Sequence, residues 1–264
     1  MSMRISVIVT TYNRPGALRQ VLGGLADQNL APEEVVVADD GSDAETGDLV
    51  RKLMPTVGYR LDHVWHPDEG FRAAAIRNAA VRRSVGDYII CLDGDCIPSR
   101  NFIADHCRLA ENGCFVQGGR ILVSRRLSQG YGVNRTRTKA ALFADLVRGD
   151  LGNAHHLLRL PVWPASRSKR LAGIRSCNMS FWRSDLYAVN GFNENFVGWG
   201  REDSELAVRL FRYGLDCKRH PFMAACFHLW HPQNIRERLA ANDALLEASM
   251  SSSSHFCSNG IEKR

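Results

Sequence analysis

The stretch Tyr88-Ile89-Ile90-Cys91-Leu92-Asp93-Gly94-Asp95 decides the fold prediction, because a run of strand-forming residues ends abruptly in two carboxylates. An unbroken apolar run of this length is typical of a strand buried on both faces of a parallel sheet. Asp93 and Asp95 would then lie at the carboxyl end of that strand, where α/β sheets bind their ligands. Two carboxylates so close together repel each other unless a positive group lies between them.

Composition and charge narrow the class of protein. With 264 residues, of which 45% are hydrophobic, the chain can bury a full core as one large α/β domain or two closely joined ones. The net charge of +6 suits phosphate groups, anionic lipid head groups and nucleic acid alike. The eight cysteines include no CxxC pair, which favours buried reduced thiols over zinc ligands or disulfides. No apolar run is long enough for a signal peptide or a membrane span, so we expect a soluble, cytoplasmic protein.

The first half of the chain alternates between strand and helix patterns. The predicted strands cover 4–10, 34–38, 59–65 and 88–93, and the predicted helices cover 15–28, 45–53 and 71–84. Such alternation is typical of a parallel sheet with right-handed crossovers.

The pattern is less regular in the second half. A helix is predicted over 99–112 and a strand over 114–123, after which residues 124–171 mix Arg, Ser, Gly and Asn with isolated apolar residues. We expect this stretch to be an irregular or mobile insertion. The later predictions are a helix over 201–213, a strand over 223–229, a helix over about 234–250 and a disordered tail over 251–264.

Two clusters of polar residues are predicted in the first half. Residues 10–14 (Thr-Thr-Tyr-Asn-Arg) and 39–42 (Asp-Asp-Gly-Ser) follow two strands, and together they would cradle a nucleobase or simply form turns. In residues 68–78, Arg72 and Arg77 could hold a pyrophosphate at a helix start, although a solvated face of an amphipathic helix explains them equally well.

The Asp93-Gly94-Asp95 turn is the third cluster. Hard oxygen ligands at this spacing suit Mg²⁺ or Mn²⁺ that bridges to phosphate. Asp-Gly also favours a hairpin, but residues 96–99 (Cys-Ile-Pro-Ser) look like a helix start rather than a returning strand.

A fourth cluster begins at residue 198 with Gly-Trp-Gly-Arg-Glu-Asp. The indole of Trp199 between two glycines needs a planar ligand or a wall to pack on. Glu202 and Asp203 are either partners of a helix dipole or a general base. His228 and His231 follow a strand, where one of them could complete a metal site or simply be a satisfied polar residue.

The order and spacing of these clusters resemble the family 2 inverting glycosyltransferases of GT-A fold. The resemblance runs from about Ile5 to Pro232, and it is strongest to a bacterial branch whose C-terminal part resembles β-1,4-galactosyltransferases and chondroitin synthases. It implies an α/β fold with a Rossmann-like, mostly parallel central sheet flanked by helices and a small acceptor-side subregion. It also implies a nucleotide-sugar-binding half over 1–123 and an acceptor-binding, catalytic half over 124–250, with 124–171 as a flexible insertion.

The resemblance assigns roles to individual residues. Asp203 matches the catalytic base, Glu202 an acceptor contact, and Asp95 the metal ligand, with coordination completed by His228 or His231, of which His228 lies nearer the strand. The remaining matches are Thr10, Tyr12, Arg14 and Asp40 for uridine, Arg77 for pyrophosphate or uracil, Asp93 for ribose and sugar, and Trp199, Gly198 and Asn178 for the sugar or acceptor.

The implied reaction is an inverting transfer that depends on Mn²⁺ or Mg²⁺. A UDP-sugar would donate to a hydroxyl of a glycan or glycolipid, in the biosynthesis of a cell-surface polysaccharide or lipopolysaccharide. Related retaining enzymes that transfer GalNAc have Asn where this chain has Asp203, which favours inversion. With no second transferase module, we expect a single addition, and we expect the protein to contact the anionic inner face of a membrane peripherally.

Two other classes of function remain open at this point. A protein of the same fold could bind nucleotide sugars without turnover, but its mark would be a replaced base or metal ligand, and neither is replaced here. A nucleic-acid-binding protein would use the arginines, but these are spread along the chain with few aromatic residues between them, so we expect no nucleic acid partner.

Overall fold

The computed structural model describes residues 3–232 and 236–263. The strands of these residues are β1 (Ile5–Thr11), β2 (Glu34–Asp39), β3 (Arg60–Trp65), β4 (Tyr88–Asp93), β5 (Cys96–Pro98), β6 (Cys114–Gln117), β7 (Gly119–Val123), β8 (Leu151–Gly152), β9 (Ser166–Ser168), β10 (Asn178–Trp182), β11 (Asp216–Arg219) and β12 (Ala225–His228). The α-helices are α1 (Pro15–Ala26), α2 (Ala44–Leu53), α3 (Ala73–Arg83), α4 (Phe102–Leu109), α5 (Arg125–Ser128), α6 (Val133–Arg137), α7 (Lys139–Val147), α8 (Arg183–Ala188), α9 (Glu202–Tyr213) and α10 (Leu239–Ser251).

A large sheet in the order β3-β2-β1-β4-β10-β6-β11-β9 forms the centre of the protein. Its first four strands are parallel, as the alternating pattern predicts. The short strand β10 runs antiparallel to both β4 and β6. Because β1 and β4 are neighbours in register, Thr10 lies beside Asp93 at the carboxyl edge of the sheet.

Apolar side chains cover both faces of this sheet. Val7 and Val9 of β1 pack in the same cluster as Leu18 and Leu22 of α1. Ile8, which points to the opposite face of the strand, belongs to the cluster that contains Ala74, Ile76, Ala80 and Val81 of α3. The alternation of β1 side chains therefore holds α1 and α3 on opposite faces of the sheet.

A smaller sheet in the order β5-β12-β7-β8 adjoins the large one, and the sequence does not predict it. Residues 114–123 are predicted as one strand but divide at Gly118 into β6 of the large sheet and β7 of the small one. A Cβ atom at Gly118 would lie 2.4 Å from the side chain of Asn178, so only glycine allows this close approach. Residues 96–98, expected to enter a helix, instead form β5 against β12.

The side chain of Asn178 joins the two sheets. Asn178 begins β10, and its Nδ2 donates to the carbonyl of Gly119 at 2.9 Å and to that of Ala224 at 2.8 Å. Its Oδ1 lies 2.9 Å from Nε2 of His106, whose pKa burial lowers to about 4. Every polar atom of this fully buried amide thus has a structural partner.

Residues 124–171 hold regular elements where an irregular insertion is expected. They contain α5, α6, α7, β8, a 3₁₀ turn over Ala154–Leu157, and β9. Ion pairs fix these elements, including Arg135 with Asp145 and Arg159 with Asp105. Such pairs leave no periodic pattern in the sequence, which is why the prediction missed the elements.

The C-terminal segment also differs from the prediction of a disordered tail. The side chain of Asn190 donates to the carbonyls of Cys257 at 2.7 Å and Glu262 at 2.8 Å, and Ile261 is buried in the core. The helix predicted over about 234–250 is observed as α10, and residues 233–235 lie outside the described residues. Within the described residues, no helix is both long and apolar enough to cross a membrane.

We predict that Asn178→Ala lowers the free energy of unfolding by about 3 kcal/mol, because it leaves several buried polar groups without partners at about 1–3 kcal/mol each. Asn29→Ala is the matched control, since Asn29 is exposed and its side chain donates to the side chain of Asn101 in an exposed hydrogen bond. Urea unfolding followed by circular dichroism measures both changes. A loss for Asn178→Ala no larger than that of the control would contradict the structural role of this amide.

Candidate active site

A cleft of about 1220 Å³ opens at the carboxyl edge of the large sheet. Its walls come from the ends of β1 and β4, the loop 171–177, the first turn of α9 and the segment after β12. The residues of the sequence prediction that line it are Thr10, Tyr12, Arg14, Asp40, Arg77, Asp93, Asp95, Trp199, Glu202, Asp203, His228 and His231. The fold thus brings together side chains that lie more than 200 positions apart.

The buried guanidinium of Arg77 holds the centre of the cleft. It donates to Thr10 Oγ1 at 3.1 Å, Asp93 Oδ1 at 3.2 Å and Glu202 Oε1 at 3.2 Å. Burial lowers the pKa of Arg77, but the carboxylates of Asp93 and Glu202 outweigh it and raise that pKa, so the group stays charged. Arg77 therefore supplies a positive charge beside the Asp93 carboxylate, as the closely spaced carboxylates of the Asp93-Gly94-Asp95 turn predict.

Two adjacent carboxyl groups project into the cleft from the start of α9. Burial, and then the nearby charge of Asp203, raise the pKa of Glu202 to about 7 against the opposing effect of Arg77. Burial also raises the pKa of Asp203, although Ser204 N–H donates to its Oδ1 at 2.7 Å. Glu202 is bound to a cation, whereas Asp203 has no cationic partner within ion-pair distance among the described residues.

An unusual turn places these carboxyl groups. Gly198, Gly200 and Arg201 all have positive φ values, of 81°, 105° and 79°. Glycine adopts this conformation without strain, but Arg201 does not, and its ion pair with Asp243 of α10 helps to hold it. The two glycines beside Trp199 therefore serve the turn that starts α9.

Asp95 is the centre of a group of possible metal ligands. Its carboxylate lies 3.8 Å from His228 Nε2 and 3.6 Å from His231 Nε2. Burial lowers the pKa of His228 to about 4, so its imidazole is neutral and has a lone pair to donate. The Cys96 thiol is also close, but burial raises its pKa well above 9.0, which makes it a poor ligand for a hard cation.

A carboxylate with imidazole nitrogens is a donor set that fits Mn²⁺, and Mg²⁺ less closely. Arg14 Nη1 lies 2.6 Å from Asp95 Oδ2 and balances this carboxylate. Any cation bound by Asp95 therefore competes with a guanidinium. Both histidines lie near Asp95, but His228 alone of the two belongs to a set of mutually close donor atoms with Asp95 and Cys96, which agrees with the preference for His228 as the ligand.

The nucleobase end of the predicted site contains a carboxylate that already has partners. Asp40 Oδ1 lies 2.7 Å from His66 Nε2, and its Oδ2 accepts from the backbone N–H of Arg72 at 2.9 Å. Burial raises the pKa of Asp40, and these contacts oppose it. The ring of Tyr12 is about half exposed, and its hydroxyl donates to Asp68 at 2.8 Å.

Two predicted sugar or acceptor residues do not line the cleft. The side chain of Asn178 is hydrogen-bonded at the junction between the two sheets. Gly198 donates its N–H to the carbonyl of Phe71 at 2.8 Å and forms part of the turn. Arg120, Arg175 and Arg236, which the prediction omitted, do line the cleft. An isolated arginine carries no motif, so the sequence gives no signal for them.

Comparison with known families identifies the chain. A model of glycosyl transferase family 2 matches residues 6–155, more than half of the chain. The chain belongs to glycosyl transferase family 2. A second model, described as the N-terminal domain of galactosyltransferase, matches residues 163–232. The resemblance predicted from the motifs is therefore confirmed for both halves.

Curated relatives extend over most of this family 2 chain. Validoxylamine A glucosyltransferase of Streptomyces hygroscopicus subsp. limoneus is 31% identical over 80% of the chain and 48% of the relative. Chondroitin synthase of Escherichia coli is 26% identical over 80% of the chain and 32% of the relative. The chain thus spans about half or less of the length of these two relatives.

Solved structures confirm the fold. S. aureus TarS 1-349 in complex with UDP-GlcNAc has a TM-score of 0.64 at 18% identity, over 94% of this chain and 66% of that one. The mannosyltransferase PcManGT from Pyrobaculum calidifontis, in complex with GDP-Man and Mn²⁺, has a TM-score of 0.59 at 22% identity over 95% of this chain and 63% of that one. The predicted GT-A fold, with a large sheet flanked by helices, is confirmed.

We predict that Arg77→Ala lowers the free energy of unfolding by about 3 kcal/mol, because the buried Glu202 and the half-buried Asp93 lose their counter-charge. Arg83→Ala, at the end of the same helix, is the matched control. Its ion pair with Asp62 is largely exposed on the arginine side, so the expected loss is at most about 1 kcal/mol. Equal losses for the two variants in urea unfolding would show that Arg77 does not organise the cleft.

The raised pKa of Glu202 predicts a pH dependence of stability. The folded protein keeps the proton of this carboxyl up to about pH 7, whereas the ordinary value is 4.5. The folded state therefore binds more protons between these values, and stability falls as pH rises through the window. The free energy of unfolding of the wild type minus that of Glu202→Gln should decrease from pH 4.5 to 7. A difference that increases with pH would refute the assignment.

Proposed function

We propose that the protein transfers a sugar from a UDP-sugar to a hydroxyl group of a glycan or glycolipid, with inversion at the anomeric carbon. The observation that supports this most is that one cleft is lined both by Asp95, with His228 and His231 close to its carboxylate, and by Asp203. A diphosphate leaving group and an acceptor base need separate groups of these kinds in one site.

The donor would lie along the edge of the sheet. Tyr12 offers an exposed ring for the nucleobase, and Asp40 offers a carboxylate that His66 and Arg72 hold in place. Asp93, fixed by Arg77, is positioned to accept from the hydroxyls of the ribose or sugar. TarS structures that contain UDP or UDP-GlcNAc share this fold, which agrees with a uridine donor.

The proposed cation site is centred on Asp95. Asp95, His228 and His231 would hold Mn²⁺ or Mg²⁺, which neutralises negative charge that develops on a diphosphate leaving group. Arg14 already balances Asp95 and would be displaced from this carboxylate or would turn to the diphosphate itself.

Asp203 is the group that we assign as the base. An acceptor hydroxyl is a weak nucleophile at neutral pH, and a carboxylate that removes its proton contributes about 10²- to 10⁴-fold. One carboxyl oxygen of Glu202 is held by Arg77, whereas Asp203 has no cationic partner within ion-pair distance among the described residues and is the freer of the two to approach an acceptor hydroxyl. Glu202 would instead accept a hydrogen bond from the acceptor, and Trp199 would form the wall of the sugar site.

A panel of UDP-sugars with Mn²⁺, scored for the release of UDP, tests the proposal. We expect slow hydrolysis of one preferred donor by the wild type and none by Asp95→Ala. Asp48→Asn is a control for expression and handling, because Asp48 is exposed and far from the cleft lining. Binding of a UDP-sugar without any turnover would favour the alternative of a silent binding protein.

Asp203→Asn separates binding from chemistry. It should bind UDP with the affinity of the wild type, yet transfer to an acceptor about 10²- to 10⁴-fold more slowly. Titration calorimetry gives the first quantity and acceptor-dependent UDP release the second. Transfer at the wild-type rate would exclude Asp203 as the base, and loss of UDP affinity would place it in the donor site.

A further inference from the structure

The positive charge of the protein is concentrated in residues 124–171. This stretch contains eight arginines and two lysines but only two aspartates, a net charge of +8, whereas the whole chain carries +6. The remaining residues therefore carry a small net negative charge. A charge separation of this size indicates a surface that meets an anionic partner.

About half of these cations are already used inside the protein. Five arginines of the stretch form ion pairs, with partners both in the stretch and in the body: Arg126, Arg135, Arg137, Arg159 and Arg167. The other five cations are exposed and have no ion pair within 4.0 Å among the described residues: Arg125, Lys139, Arg148, Lys169 and Arg170.

Helix α7 turns an apolar face to solvent. Phe143 is 67% exposed, Val147 70% and Leu146 41%. All three share one face of the helix with Lys139, its first residue. Other residues of α7 face the protein, because Leu142 packs against the core and Asp145 is buried in its pair with Arg135. These contacts fix which face of the helix is exposed. A helix that only faced water would place polar residues here.

A second exposed apolar group follows in the same stretch. Val162 is 91% exposed, Leu158 57% and Trp163 53%. Backbone contacts hold this loop, since Trp163 O lies 2.7 Å from His220 Nε2. Exposed tryptophan and aliphatic side chains within a stretch rich in lysine and arginine are typical of proteins that bind at a membrane surface.

We propose that the α7 face, defined as Lys139, Phe143, Leu146 and Val147, docks on an anionic lipid bilayer together with the exposed apolar loop 158–163. The cations match anionic head groups, and the apolar side chains match the boundary with the acyl chains. A soluble polyanion would use the cations but would leave the apolar face exposed. Helix α7 has nine residues, against about 20 for a span, so the helix lies on the surface.

The same stretch begins beside the cleft. Arg125 lies over the ring of Trp230 at 4.7 Å, and Trp230 lines the cleft. Docking would therefore hold the cleft near lipid-linked acceptors. This consequence for the acceptor rests on the proposed function. The docking itself does not, and vesicle binding is measured without any donor or acceptor.

Co-sedimentation of the full chain with vesicles tests the proposal. We expect binding to vesicles that contain phosphatidylglycerol, weakening as salt is added, and little binding to pure phosphatidylcholine. Lys139→Glu with Arg148→Glu should lower the partition coefficient by at least about tenfold, since each cation near the surface contributes about 1 kcal/mol. Phe143→Ser with Val147→Ser should lower it by a similar factor.

Matched controls change exposed residues outside the stretch. Arg19→Glu with Lys52→Glu makes the same change in net charge, and Leu30→Ser with Met250→Ser makes the same change in exposed apolar residues. These variants should bind like the wild type. Circular dichroism checks that all variants remain folded, which we expect because every changed side chain is exposed.

Three outcomes would overturn the proposal. The first is equal binding to neutral and anionic vesicles, or equal losses in the test and control variants. The second is retention of vesicle binding by the serine variant together with charge-dependent binding to heparin, which would assign the cations to a soluble polyanion. The third is a dimer in light scattering that dissociates in the Phe143 variant, which would make the face an interface between two copies.

Discussion

The site depends on one buried cation that joins the two halves of the chain. Arg77 on α3 binds Asp93, which ends a strand of the first half, and Glu202, which starts a helix of the second. Without this guanidinium, the carboxyl groups of Asp93 and Glu202 would lose the cation that is hydrogen-bonded to both of them. Its three donors to three different elements also fix the distance between the edge of the sheet and α9.

The balance of charge differs between the cleft and residues 124–171. In the cleft, arginines and carboxylates are balanced against each other, as in the pairs of Arg77 with Asp93 and of Arg14 with Asp95. The unbalanced positive charge lies in residues 124–171. A cleft in which arginines are partly paired with carboxylates can accept a diphosphate together with a divalent cation, whereas an unpaired basic surface attracts anions on its own. The net charge of the chain therefore says more about docking than about catalysis.

The sequence predicts those features that depend on nearby residues. Alternating strands and helices, and carboxylates at strand ends, emerge from local patterns, so the sequence predicts the parallel half of the sheet, and most of the predicted site residues lie in the cleft lining. Features that depend on contacts between residues far apart in the sequence are not predicted. The break at Gly118 depends on Asn178, and the ordered C-terminal segment depends on Asn190. The family resemblance places Asn178 at the sugar or acceptor, but its side-chain contacts are with strands remote in sequence.

The central claim is that the strand ends of the first half bind one nucleotide in the cleft, where Arg77 joins them to the first turn of α9. The most direct measurement is a crystal structure with UDP and Mn²⁺, with anomalous diffraction to locate the metal. We predict a manganese peak on the carboxylate of Asp95, the diphosphate beside it, and the base near Tyr12 and Asp40. A peak away from Asp95, or a nucleotide bound outside the cleft that Arg77 spans, would contradict this account.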